Sequence, residues 1–279
     1  MRWTPGGTSE DVEDRRGSSG GGGGMRLGIG GFILLAVLSL IFKKNFFALL
    51  STDSGSAPTA GAPVSQDPKD QREVQFVSFV LDDVQKTWDK VLAGRYRHAK
   101  LVLFTNGIDS ACGFAQTASG PFYCPEDKKV YLDIGFFDEL KGRLGAGGEF
   151  AQAYVVAHEV GHHVQNLLGL LSRAEEAQQR GDRRSASDIS VRTELQADCL
   201  AGVWGHSTSE RGILENGDVE AGLGAAAAVG DDRLQKMATG RVQPESFTHG
   251  SSGQRVKWFK RGLDQGTPNA CDTFSVPSP

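Results

Sequence analysis

No long run of lysine and arginine occurs in this 279-residue chain, no cysteine belongs to a CxxC pair, no internal repeat is visible, and no uncharged apolar stretch reaches a comfortable membrane-spanning length. Each absence narrows the function. With a net charge of −4 and no basic run, a nucleic-acid partner has no electrostatic support. Without CxxC pairs, the four cysteines are read as disulfides in an oxidising compartment or as buried thiols in a reducing one. Without a repeat period, a solenoid or propeller has no signature.

What is abundant is glycine, at 37 residues, many of them near the N-terminus. Hydrophobic residues make up 39% and charged residues 23%, a composition suited to a globular protein. Residues 1–24, polar and then glycine-rich, bury too little apolar surface to fold and are expected to be a disordered tail. Within residues 25–50, Leu27 to Phe42 carries no charge and is bracketed by Arg26 and by Lys43 and Lys44. At sixteen residues it is short for a span, but the flanking cations can snorkel and Asn45 to Leu50 adds interfacial apolar surface, so one transmembrane helix is expected. A cleaved signal peptide is the competing reading, opposed by the long polar lead and the poor small-residue exit. Arg15, Arg16 and Arg26 against Lys43 and Lys44 place the N-terminus inside. That orientation puts the remainder on the extracytoplasmic side of the membrane.

Residues 51–70, rich in Ser, Ala, Pro and Gly, form the expected tether. Residues 71–279 then make one folded domain, α+β and mainly helical with a small sheet. Apolar residues from Val77 to Leu92 recur at helical spacing. Leu101–Phe104 and Val130–Ile134 read as strands. Glu149–Leu171 and Ser187–Gly205 read as helices, the second capped by Ser187 or Asp188, with an exposed charged stretch from Arg173 to Arg184 between them. A further helix is expected from Asp218 to Met237, and few periodic signals follow Gly240. Cys112 pairs with Cys124 across a glycine- and proline-containing loop, and Cys199 with Cys271; four buried thiols are the alternative.

The chemistry is concentrated at His158-Glu159-Val160-Gly161-His162. Histidines four apart on a helix share a face, close enough for both imidazoles to reach one zinc ion. Glu159 is too far round to ligate well but can take a proton from the attacking water. The segment Val155–Val164 has no charged side chain other than Glu159, and burying that carboxylate with two imidazoles is unfavourable unless they pair or bind a metal. His163 points about 100° away from His162 and is read as a packing group.

A hydrolytic zinc needs a third ligand. Glu194 and Asp198, again four apart and set among apolar neighbours, supply the candidates. Glu194 is assigned as ligand and Asp198 as the carboxylate that orients a ligand histidine. The swapped roles and a three-histidine site using His206 stay open. His249, in a polar glycine-containing loop, is the candidate donor to a developing oxyanion, with Tyr123 and Tyr131 as alternatives.

The strings HEVGHHVQ, ELQADCLAGVW and CGFAQTASGPFYCPEDKKVYLDIGFF resemble the bacterial neutral zinc metallopeptidase family of membrane-anchored proteins. The likeness spans roughly Val74 to Phe274 and the N-terminal apolar segment. It implies a zincin-like fold, one Zn2+ on His158, His162 and Glu194, Glu159 as base, and a peptide or protein substrate bound along an edge strand, for which residues 130–134 are nominated. Peptide hydrolysis is the expected activity. A membrane-anchored zinc-binding assembly protein and a hydrolase of non-peptide amides or esters are the rivals.

Overall fold

The computed structural model describes residues 1–17 and 67–279. The apolar segment within residues 25–50 lies outside them, as do residues 51–66 of the tether. Among the described residues, no helix is long and apolar enough to cross a membrane.

The first seventeen residues are not the structureless lead their composition suggests. Val12–Asp14 forms strand β1, which pairs in parallel with β2, Lys100–Phe104. β2 pairs in parallel with β6, Lys129–Asp133, and β6 pairs antiparallel with β5, Phe122–Cys124. The sheet order is therefore β1-β2-β6-β5. Strand β6, nominated as an edge for extended peptide, is interior; β1 and β5 are the outer strands. A separate hairpin of β3, Gly107–Ser110, and β4, Gly113–Gln116, carries the Cys112–Cys124 bridge back to β5.

Helix α1 runs Pro68–Leu92, starting earlier than its apolar spacing suggests. The Asp67 side chain accepts from the Lys69 amide, and Pro68 opens the first turn, where a missing N–H does no harm. After α2, Gly135–Gly142, helix α3 spans Glu149–Leu167. The continuous helix expected to Leu171 breaks at Gly169, which takes the left-handed conformation (φ 69°) that ends α3 and admits α4, Leu170–Arg180. The charged stretch is thus largely helical. Helix α5, Arg183–Glu210, is capped by Asp182 rather than Ser187 or Asp188 and continues past Gly205. The helix expected from Asp218 to Met237 divides at Gly230 into α6, Asp218–Ala228, and α7, Asp231–Thr239. A Cβ at Gly230 would fall 2.4 Å from the Ser252 amide, so the chain crosses there under close cover.

The region after Gly240 contains helix α8, Ser252–Gln265, begun by a capping box in which Ser251 and Gln254 satisfy each other's backbone amides. α8 lies so close on α5 that a Cβ on Gly262 would sit 1.9 Å from the Cys199 carbonyl, and one on Gly202 2.1 Å from the Phe259 carbonyl. The Cys199–Cys271 disulfide closes the same interface. Helix α3 is held centrally by α5, α6 and α1, with β5 and β6 beside it. Its Phe150 stacks on Trp204 of α5 at 5.5 Å, and Tyr154 meets Phe259 of α8 edge-on at 5.0 Å. The histidines are therefore built on a helix clamped on several sides.

Candidate metal centre

Two helices bring the centre together. On α3, His158 and His162 project from one face, with ring centroids 4.8 Å apart and planes nearly perpendicular. On α5, Glu194 faces them: one carboxylate oxygen lies 3.2 Å from His158 Nε2 and the other 3.4 Å from His162 Nε2. Among the described residues these three form the group whose ligand atoms all lie within 4.8 Å of one another. Gly161 permits the approach, since a Cβ there would meet the Ala197 carbonyl at 3.0 Å.

The outer nitrogens decide the chemistry. His158 Nδ1 donates to Asp198 Oδ1 at 2.9 Å, and His162 Nδ1 donates to Gln165 Oε1 at 2.8 Å. The Gln165 amide is itself oriented by donating to the Thr193 carbonyl and Gln196 Oε1. With both Nδ1 atoms used as donors, the two neutral rings turn Nε2 lone pairs toward the Glu194 carboxylate. Acceptors facing acceptors at such distances need a cation or proton between them. The donor set, two imidazole nitrogens and one carboxylate, suits zinc in a hydrolytic site.

In the metal-free protein, protons take up that attraction. Burial acts to lower the His158 pKa, but Asp198 and Glu194 overcome it and push it up to about 10. Burial likewise works to raise Glu194, and His162 and His158 outweigh it, holding the carboxyl well below its ordinary value. Glu159 differs. Burial raises its carboxyl above the usual range against the pull of His158 and His162. The residue is almost covered, at 8% exposure, and among the described residues its carboxyl has no hydrogen-bond partner. It is a carboxylate beside the ligand cluster that is left uncommitted.

Asp198 is fully buried and belongs to a larger network. Arg255 of α8 donates from Nε to Oδ2 and from a terminal nitrogen to Oδ1, both at 2.8 Å, and Tyr154 donates its hydroxyl to Oδ1 at 2.5 Å. Burial pushes Asp198 upward, but Arg255 and His158 hold it below its ordinary value. Arg255 and Tyr154 were not among the sequence candidates. The capping-box pattern Ser251-x-x-Gln254 is the signal that would have marked α8; nothing local marks Arg255 as the partner of a carboxylate on another helix.

The remaining candidates are placed as follows. His163 points away from the cluster: Nε2 donates to the Arg97 carbonyl and Nδ1 accepts from Tyr123, a packing and hydrogen-bonding role. His206 lies within α5, not beyond its end, and donates to the Leu263 carbonyl outside the ligand group. The Tyr123 hydroxyl is taken by His163 and Asn166, and that of Tyr131 by Asp127. His249 is half exposed, on a loop whose Thr248, His249 and Gly250 amides all donate to Asp231 Oδ2. Its imidazole Nδ1 lies 3.2 Å from Asp231 Oδ1, and although burial works to lower its pKa, Asp231 and Glu194 raise it above the ordinary value.

Comparison with known proteins adds identity to this geometry. The family described as "Putative neutral zinc metallopeptidase" matches residues 1–274. The chain is 46% identical to "Uncharacterized protein YpfJ" of Escherichia coli (strain K12), over 98% of this chain and 99% of that protein. It is 48% identical to "Uncharacterized protein Mb2605" of Mycobacterium bovis, over 70% of this chain and 68% of that protein. "Uncharacterized protein Rv2575" of Mycobacterium tuberculosis matches to the same extent. No solved structure matches.

Proposed function

Because the chain belongs to the neutral zinc metallopeptidase family, we propose that it is a zinc-dependent peptidase, most simply an endopeptidase with a zincin-like centre. His158, His162 and Glu194 would hold one zinc ion. The observation carrying this reading is the set of Nε2 lone pairs aimed at Glu194, with an uncommitted Glu159 on the same helix. Bound zinc supplies Lewis acidity, lowering the pKa of water and polarising a carbonyl.

The chain's own residues do the rest. Glu159 accepts the proton of the attacking water, and its raised pKa suits both that step and delivery of the same proton to the departing amine. Asp198, gripped by Arg255 and Tyr154, fixes the His158 tautomer. Gln165 does the same for His162. His249 donates a hydrogen bond to the oxyanion that forms on the scissile carbonyl, presented by a loop that Asp231 ties down. Two disulfides support an extracytoplasmic setting, where a peptide or protein chain is the substrate.

The test is to incubate the zinc-loaded protein with a proteome-derived peptide library, strip the metal with a chelator, and restore it. Cleavage that disappears and returns is the expected result. An intact library after incubation with fully loaded protein would overturn the peptidase reading.

A further inference from the structure

We infer that residues 1–17 are a folded part of the same domain as residues 67–279 and lie on the same side of the membrane as they do. This goes beyond the peptidase reading and does not depend on it. The N-terminal segment is attached along its length. Trp3 packs against Phe76 and Phe79 of α1, with centroids 5.1 and 6.1 Å away, and Arg72 lies over its ring at 5.2 Å. Ser9 donates to Asp82 of α1. Asp11 receives hydrogen bonds from Gln85 and Lys100 and pairs with His98. Glu13 receives Lys129 of β6 at 2.7 Å.

The backbone makes the stronger case. The Leu101 amide donates to the Asp11 carbonyl and the Arg15 amide to the Leu103 carbonyl, each at 2.8 Å, on either side of the β1–β2 ladder. Leu101, Val102 and Leu103 have no exposed surface. Without β1 the outer edge of β2 would carry unpaired polar groups against a buried strand, which folded proteins avoid. The N-terminal segment is the strand that completes this sheet.

The topological consequence is direct. The uncharged run from Leu27 to Phe42 lies between the docked segment and the rest of the domain. A single crossing there would put β1 and β2 in different compartments, and a parallel ladder cannot form across a membrane. The chain between residues 17 and 67 therefore begins and ends on one side. The single-pass arrangement with an inside N-terminus does not fit this pairing.

Two full-length proteins, Thr8→Cys and Met237→Cys, test the inference; both positions are exposed and far from the ligand cluster in sequence. Intact spheroplasts and lysed membranes are treated with a membrane-impermeant maleimide, and the parent protein gives the background. Matching behaviour, with both positions labelled before lysis or both only after it, is expected. Labelling of one before lysis and the other only afterwards would overturn the inference. Hydrogen exchange on the detergent-solubilised full chain supplies an independent reading. Amides of residues 11–15 are expected to exchange at least about a hundredfold more slowly than an unstructured peptide, by the link between protection and local opening. Free exchange there would overturn the docking itself.

Discussion

His158 Nδ1 lies 2.9 Å from Asp198 Oδ1, and this one contact leaves Nε2 of the same ring free to face Glu194. Asp198 accepts from three side chains at once: His158, Tyr154 and Arg255. Asp198→Asn should weaken zinc binding by about 10- to 100-fold, the usual effect of losing a carboxylate behind a ligand histidine. Competition with a chromophoric chelator measures it; unchanged affinity would show that His158 is oriented by packing alone.

Arg255 should behave as the counter-charge of that buried carboxylate. Arg255→Met leaves Asp198 with His158 as its remaining cationic partner and is expected to reduce stability by up to about 3–5 kcal/mol, read from denaturant unfolding of the metal-free protein. Arg255→Lys keeps the charge but loses the paired contact to both oxygens and should fall between the Met variant and wild type. Equal stability of all three would contradict the role assigned to this ion pair.

Gly161 sets the distance between the two halves of the centre. In Gly161→Ala the new Cβ would meet the Ala197 carbonyl at 3.0 Å and its Cα at 3.2 Å, pushing α3 from α5 and His158 and His162 from Glu194. Overpacking of this kind lowers stability by about 1–3 kcal/mol. Zinc affinity should drop while helical circular dichroism stays at the wild-type level. An alanine variant that binds zinc as tightly as wild type would show that the helices adjust without moving the ligands.

The attachment of the N-terminal strand should respond to pH through His98. Desolvation works to lower its pKa, but Asp89 and Asp11 prevail and raise it above the ordinary value. A base whose folded pKa is raised contributes stability fully below its unfolded value, about 6.5, and loses that contribution as pH rises through the folded value. With the His98 side chain 47% exposed, the effect is small and screened by salt. Exchange of the β1 amides should speed up across that alkaline step, after correction for intrinsic rates, and His98→Gln should remove the step.

Reduction of the Cys199–Cys271 bridge should destabilise the α5–α8 interface. It closes a loop of 72 residues, for which chain entropy corresponds to about 4 kcal/mol. Thermal unfolding of a Cys271→Ser protein checks this. A melting temperature equal to that of the bridged protein would contradict the assignment.

The legible part of this protein was whatever depends on local spacing. His158, Glu159 and His162 announce themselves because helical periodicity alone puts the two imidazoles on one face, and Glu194 and Asp198 follow the same rule on α5. Arg255 was hidden because its partner is 57 residues away in the chain, and no periodicity marks a long-range ion pair. Strand β1 was hidden because Val12-Glu13-Asp14 is short and charged; what makes it a strand is the open edge of β2, a tertiary fact. The interior place of β6 depends on the same pairing. The break at Gly169 fell inside an apolar run whose periodicity continues past it, and the left-handed glycine conformation prevailed over the pattern; at Gly230 the backbone is extended, and it is the close approach of Ser252, a tertiary contact, that a side chain would block.

If Glu159 is the base of a zinc peptidase centre, as proposed, Glu159→Gln should keep the metal and lose turnover. The variant and wild type are loaded to equal zinc content, verified by metal analysis, and given the same peptide library. Unchanged zinc binding with turnover lost by at least about a hundredfold, the usual minimum for removing a general base, is the predicted result. A Glu159→Gln protein that holds zinc and cleaves as fast as wild type would rule out Glu159 as the base.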